Sequence, residues 1–147
     1  MPPRLKPGLA FWIVTDAGFA VGLMTHHRPT FGHLVWISED TFDDPPTTGD
    51  VLGIKRWRWP VFFPLGTALH RKTVTKIADV EIPAELQPWP LMRGGNRQAG
   101  WKMLSLEGPE PMLAAGTPDP SVPPYILVND IKLRELIVSG WRPANMW

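Results

Sequence analysis

Three histidines, His26, His27 and His33, stand in the stretch HHRPTFGH, a few residues before the acids Glu39, Asp40, Asp43, Asp44 and Asp50 of EDTFDDPPTTGD. Imidazoles and carboxylates are the ligands of hydrolytic metal centres, so this set could in principle assist phosphoester hydrolysis. The spacing argues otherwise. It matches no helical H-x-x-x-H arrangement, and neighbouring side chains on a strand point to opposite faces. The histidines, with His70 apart from the rest, read as solvent-exposed turn residues, and no metal or other cofactor is expected. Asp43 with Asp44, or Glu39 with Asp50, would work as acid and base only in opposed environments, which a proline-rich loop does not supply. Ser38, Ser105, Ser121 and Ser139 lack a G-x-S-x-G elbow. RGGNRQAG, residues 93–100, lacks the G-K-[ST] of a phosphate loop and reads as a mobile turn. No catalytic residue is expected.

A second stretch raises nucleic-acid chemistry. KRWRWPVFF, residues 55–63, holds three cations and four aromatic rings. Cations can hold phosphates while rings stack on bases. The period of a strand separates them instead: Trp57, Trp59, Val61 and Phe63 on one face, Arg56, Arg58, Pro60 and Phe62 on the other. That is the pattern of a half-buried strand with its cations in water. Pro60 donates no ladder hydrogen bond, which predicts an edge or a bulge. The chain also carries a net charge of only +1, from 15 basic and 14 acidic residues. A dedicated nucleic-acid domain shows a clear basic excess.

The elements that would position these residues follow from the rest of the chain. Its 147 residues suit one domain, 1–147. The 18 prolines interrupt long helices and favour short strands and fixed loops. LAFWIVTDAGFAVGLM reads as a β-hairpin turning at Asp16-Ala17-Gly18. Strands follow at residues 33–38, 57–63, 74–79 and 101–106, with a further short one in PMLAAG. Residues 39–50 read as a surface loop, and residues 82–93 as extended with one short turn at 84–87. A helix is predicted at residues 130–139. Asn129 or Asp130 caps it, Ile131, Leu133, Leu136 and Ile137 form its apolar stripe, and Gly140 and Pro143 end it. The tryptophans Trp12, Trp36, Trp57, Trp59, Trp101 and Trp141 fall in core positions, and Trp89 and Trp147 read as exposed. The sum is an α+β fold: six or seven short strands, mainly antiparallel, in a twisted sheet or partly open barrel, with one C-terminal helix packed on it.

The order of these features resembles the Immunity 26 family of bacterial polymorphic toxin systems. KPGLAFWIVTDAGFAVGLM is similar to that family's opening hairpin through Pro7, Gly8, Phe11, Ile13, Asp16, Gly18, Phe19 and Gly22, with Leu9 where the family usually has Asp. IPAELQPWPLMRGG, with Pro83 and Arg93 and followed by Gly100-Trp101, resembles its Pro-Leu-Pro-Arg segment. NDIKLRELIVSGWRP resembles its last helix, ending in Gly140, Trp141 and Pro143. The matched residues are turn, cap and core types and would anchor the fold. The family is also associated with a small phosphotriester hydrolase, but no catalytic residues carry over.

The resemblance implies an immunity protein that binds and neutralises a cognate toxin, encoded nearby, without catalysis. A metal-assisted phosphoester hydrolase and a nucleic-acid-binding module are the alternatives. The opening residues MPPRLKPG lack the apolar run of a secretory signal, no apolar stretch is long enough to span a bilayer, and Cys is absent. A cytoplasmic location is expected. The partner-binding residues are expected where charge segregates: Asp43, Asp44 and Asp50 of the loop, and Arg56 and Arg58 beside it.

Overall fold

The computed structural model describes residues 5–147. The fold is α+β, with eight strands in two antiparallel sheets that do not close into a barrel. β1 (Leu9–Thr15), β2 (Gly18–Arg28), β3 (Gly32–Phe42), β4 (Trp57–Phe63) and β5 (Thr75–Asp79) form the main sheet in the order β4-β3-β2-β1-β5. β6 (Met92–Asn96), β7 (Gly100–Ser105) and β8 (Met112–Leu113) form a smaller one in sequence order. Three helices join them: α1 (Thr48–Leu52), α2 (Leu65–His70) and α3 (Asp130–Val138).

The main sheet is covered on both faces, which is why its strands read as nearly continuous apolar runs. On one side Phe11, Ile13, Val35, Trp59, Val61 and Phe63 pack with Leu133, Leu136 and Ile137 of α3. On the other, Val21 and Leu23 meet Val51 of α1 and Leu86, while Leu34 and Phe62 meet Met92 and Leu106 of the small sheet region. Gly22 is required by packing, since a Cβ there would fall 2.2 Å from Cζ of Phe11. Gly8, at φ +98, is required by backbone, since a Cβ would fall 2.3 Å from the Val80 carbonyl.

α3 is built as its sequence signals. The Asn129 side chain accepts from the Lys132 N–H, and the Gly140 and Trp141 N–H groups return to the Ile137 and Leu136 carbonyls. That is a Schellman turn, with Gly140 at φ +68. Ile131 departs from the expected stripe and is 64% exposed. It lies two residues from Leu133, about 200° around the helix, so the two cannot share a face.

Other corrections have equally local causes. Residues 39–50 are not one loop: Glu39 to Phe42 continue β3, and Thr47 opens α1 through a capping box with Asp50. RGGNRQAG does turn, at residues 97–99, but Gly94, Gly95 and Gly100 belong to the paired strands of the β6–β7 hairpin, with Gly94 lying against Leu104. Trp89 is half-buried, stacked on His26 and Phe62 and lying under Arg28. Trp147, by contrast, is exposed as expected, at 42%, with its ring stacked on Trp101.

Two buried arginines tie down the irregular C-terminal half. Arg28 donates to the carbonyls of Leu106, Gly108 and Pro109. Arg93 donates to those of Pro120, Val122 and Pro143, and its guanidinium lies against the stacked rings of Trp101 and Trp147.

Candidate functional site: one end of the main sheet

Antiparallel pairing brings four chain segments to one end of the main sheet. They are the C-terminal ends of β1 and β3 and the N-terminal ends of β2 and β4. The β1–β2 turn with Asp16, the β3–α1 loop with Asp43 and Asp44, and Arg56 just before β4 therefore gather there. The first two are in direct contact, since the position a Gly18 Cβ would take is 2.7 Å from the Phe42 carbonyl. Asp16, Asp43, Asp44 and Arg56 are all exposed.

The β3–α1 loop is fixed at both ends. Phe42 pairs with Phe19 on one side. On the other, Pro46 is buried and Asp50 accepts from the Thr47 N–H at 2.8 Å while the Asp50 N–H returns to Thr47 Oγ1 at 3.2 Å. Asp50, expected to contact a partner, thus has a structural task in the cap. Asp43 and Asp44 carry the free charge.

Arg58, expected to face water with Arg56, does not. Trp36 pairs with Pro60 but Ser38 pairs with Trp57, so β4 spends one residue more than β3 over this interval. This bulge turns Trp57 to the face opposite Trp59 and swings Arg58 toward α3. Arg58 donates to the carbonyls of Ser38 and Glu39 and, at 3.1 Å, to that of Ile137 in the last turn of α3. Burial lowers its pKa, and the nearby Glu39 carboxylate opposes that shift. Glu39 itself holds Arg142 through two hydrogen bonds, of 2.6 and 3.1 Å, which keep its carboxyl below the usual range. Glu39 and Asp50 are therefore engaged in separate structures and form no acid–base pair.

His26, His27 and His33 are strand residues, not turn residues. His27 and His33 face each other across β2 and β3 and stack at 4.5 Å between ring centres. A hairpin turning between them makes positions 27 and 33 partners, a relationship that sequence spacing in a turn hid. His26 points away, bonded to Thr25 Oγ1 and to the Gln87 carbonyl, both at 2.8 Å. Burial lowers the pKa of His26, against the Gln87 bond. Burial and then the His27 charge lower that of His33, against a backbone contact with Phe63. His70, at the end of α2, is exposed. Among the described residues, no three His, Asp or Glu side chains gather as a metal site would need.

The serines serve local structure. Buried Ser38 accepts from the Val21 N–H and donates to the Asp40 carbonyl. Ser121 bonds to Asp119, and Ser139 to the Leu136 carbonyl. Ser105 pairs with Met112.

Of the residues matched in the resemblance, Asp16, Gly18 and Phe19 lie at this end, and most of the others serve turns, caps and core elsewhere. Exposed Pro7 precedes Gly8, which joins β2 to the segment after β5 through Met24 and Val80. Gly18 has φ +116 in the first hairpin turn, and Pro83 precedes a short 3-10 turn at Ala84–Leu86. Arg93, Trp101 and Pro143 meet in one cluster. Gly140 and Trp141 close α3.

One feature of this end was not anticipated. Val14 and Asp16 form one wall of a groove whose other wall is Ile131, Glu135 and Val138 on the outer side of α3. The i, i+7 spacing of Ile131 and Val138 around Arg134 and Glu135 is its signal in the sequence.

No protein-family model, no curated protein and no solved structure matches this chain. No described helix is long and apolar enough to cross a membrane.

Proposed function

We propose that this chain is a binding protein that neutralises a cognate bacterial toxin, encoded nearby, by covering its active site or substrate surface. The observation that carries this reading is the exposed carboxylate pair Asp43 and Asp44, held on a loop anchored by β3, a buried proline and a capping box. A charged ridge already fixed in the free protein loses little conformational freedom on binding. Charge complementarity also speeds association, which a protein that must outrun damage needs. Arg56 is the exposed cation at the same end and completes the surface, whereas Asp50 and Arg58 support it from beneath. The motif order shared with Immunity 26 supports the toxin as the kind of partner.

The test is co-expression with the product of the adjacent toxin gene. Wild-type protein should rescue growth, and Asp43→Lys with Asp44→Lys should weaken rescue while leaving the melting temperature unchanged. Failure of the wild-type protein to bind or rescue against any neighbouring gene product overturns the reading. Undiminished rescue by both that double variant and Arg56→Glu moves the contact elsewhere and removes the argument made from this loop.

A further inference from the structure

α3 is apolar on two sides. Leu133, Leu136 and Ile137 face the core, while Ile131 and Val138 project into the groove opposite Val14. The groove has a volume of about 760 Å³, and its three large aliphatics are 64%, 48% and 45% exposed, in that order. Exposed apolar side chains that share one concavity, unlike scattered ones, mark contact sites.

The charges around it specify the occupant. Arg134 is turned inward: its Nε donates to the Val14 carbonyl at 2.8 Å and its Nη2 to the Thr73 carbonyl at 3.1 Å. Its charge is answered by Asp130 at 2.8 Å. Asp16 and Glu135 remain as the outward-facing charges of the walls. Glu135 has only Lys132, at 3.5 Å and with both side chains mostly exposed, a pair of little strength. An apolar trough with a carboxylate rim repels nucleic acid and anionic lipid and suits a cationic protein.

We infer that this groove takes an apolar side chain flanked by lysines or arginines on the partner protein, so that the partner's contact face is basic. The inference rests on the reading that this end of the sheet is the contact surface. It adds that the toxin covers it with a cationic surface, of the kind that would otherwise hold a polyanionic substrate.

The probe is the peptide acetyl-Lys-Lys-Leu-Phe-Lys-Lys-amide, titrated into the isotope-labelled full chain and followed by amide NMR shifts. Saturable shifts are expected at Val14, Asp16, Ile131 and Val138. They should shrink at about 0.5 M salt, which screens exposed charges. The same peptide with glutamate for lysine should bind at least ~10-fold more weakly, a difference of about 1.4 kcal/mol. Ile131→Ser and Val138→Ser, which remove the apolar contact without adding charge, should strongly reduce the shifts and leave the melting temperature nearly unchanged, because both side chains are largely exposed. Equal binding of the acidic peptide, shifts confined to another surface, or a dimer in sedimentation that Ile131→Ser dissociates would each overturn the inference, the last by making a second copy the occupant. Two results separate this inference from the toxin reading. Toxin rescue that survives Ile131→Ser removes the groove and leaves the toxin reading. Peptide binding in the groove by a protein that rescues nothing removes the toxin reading and leaves the groove.

Discussion

The indole N–H of Trp59 donates to the main-chain carbonyl of Trp141 at 2.9 Å, and the two rings meet edge to face at 5.1 Å. One contact thus joins the buried face of β4 to the residue that leaves the Schellman turn of α3. Trp59→Ala should cost about 3–5 kcal/mol, as for other buried aromatic truncations. Trp59→Phe keeps most of the volume but leaves the carbonyl unpaired, and should cost about 1–3 kcal/mol. Denaturant unfolding distinguishes the two, and equal midpoints for Trp59→Phe and wild type would show that the hydrogen bond contributes nothing.

Arg56 and Arg58 should behave differently although only one residue separates them. Arg56→Ala should shift stability by no more than ~0.5 kcal/mol, as at ordinary surface positions. Arg58→Ala removes donors from three carbonyls, including the C-terminal end of α3, and should cost about 1.5–3 kcal/mol. Matched urea melts of the two variants measure this. Similar small losses would mean that Arg58 is a surface residue after all.

Acid should weaken the fold in two stages. The folded-state pKa values of His26 and His33 are depressed, so the folded protein holds these rings neutral more strongly than the unfolded chain does. Unfolded histidines take up protons near pH 6.5, and stability falls as pH drops from there through the lower folded values. Glu39, whose pKa is lowered first by its hydrogen bond to Arg142, adds a second loss below about pH 4.5. Melting temperature should therefore be flat above about pH 7 and decline as pH falls below about 6.5. His33→Gln should flatten that first decline, and an unchanged slope in this variant would show that His33 is not its source.

Gly22→Ala tests how the main sheet is packed. The new methyl would have to displace the Phe11 ring, which lies against Gly22 and stacks on Phe63. Overpacking of this kind costs about 1–3 kcal/mol. Pairing the change with Phe11→Leu should recover part of the loss, and a double-mutant cycle showing simple additivity would mean that the two sites are independent.

The parts of this fold visible in the sequence are those with short-range causes. The first hairpin shows in its apolar runs and Asp16-Ala17-Gly18 turn, and α3 in Asn129 and Gly140. What escaped depends on contacts distant in sequence. The β4 bulge exists because Ser38 and Trp57 pair out of step with Trp36 and Pro60, and nothing within residues 55–63 announces it. Arg93 stands out only as an anchor implied by the resemblance; beside two glycines its own surroundings read as loop, and the carbonyls that fix it lie 27 and 50 positions later. The helix α1 did leave a local sign, Thr47 three residues before Asp50, which the surrounding acids and prolines masked. At the candidate site, Asp43, Asp44 and Arg56 were visible as charge. The groove was not, because Ile131 reads in sequence as part of the core-facing stripe of the helix.

Proline lacks an N–H, so a chain with 18 of them is rich in acceptors and poor in donors. Between residues 106 and 143, Arg28 and Arg93 together serve six carbonyls. Each guanidinium presents five N–H groups in a rigid planar fork, the most any side chain can offer. These two residues therefore do for the proline-rich half what a neighbouring strand would do for an ordinary one. Lysine, with one nitrogen at the end of a flexible stem, could not bridge the same spread of carbonyls. Arginine at 28 and 93 and the prolines of the distant loops are thus a single sequence requirement, and substitutions in one should be tolerated only alongside changes in the other.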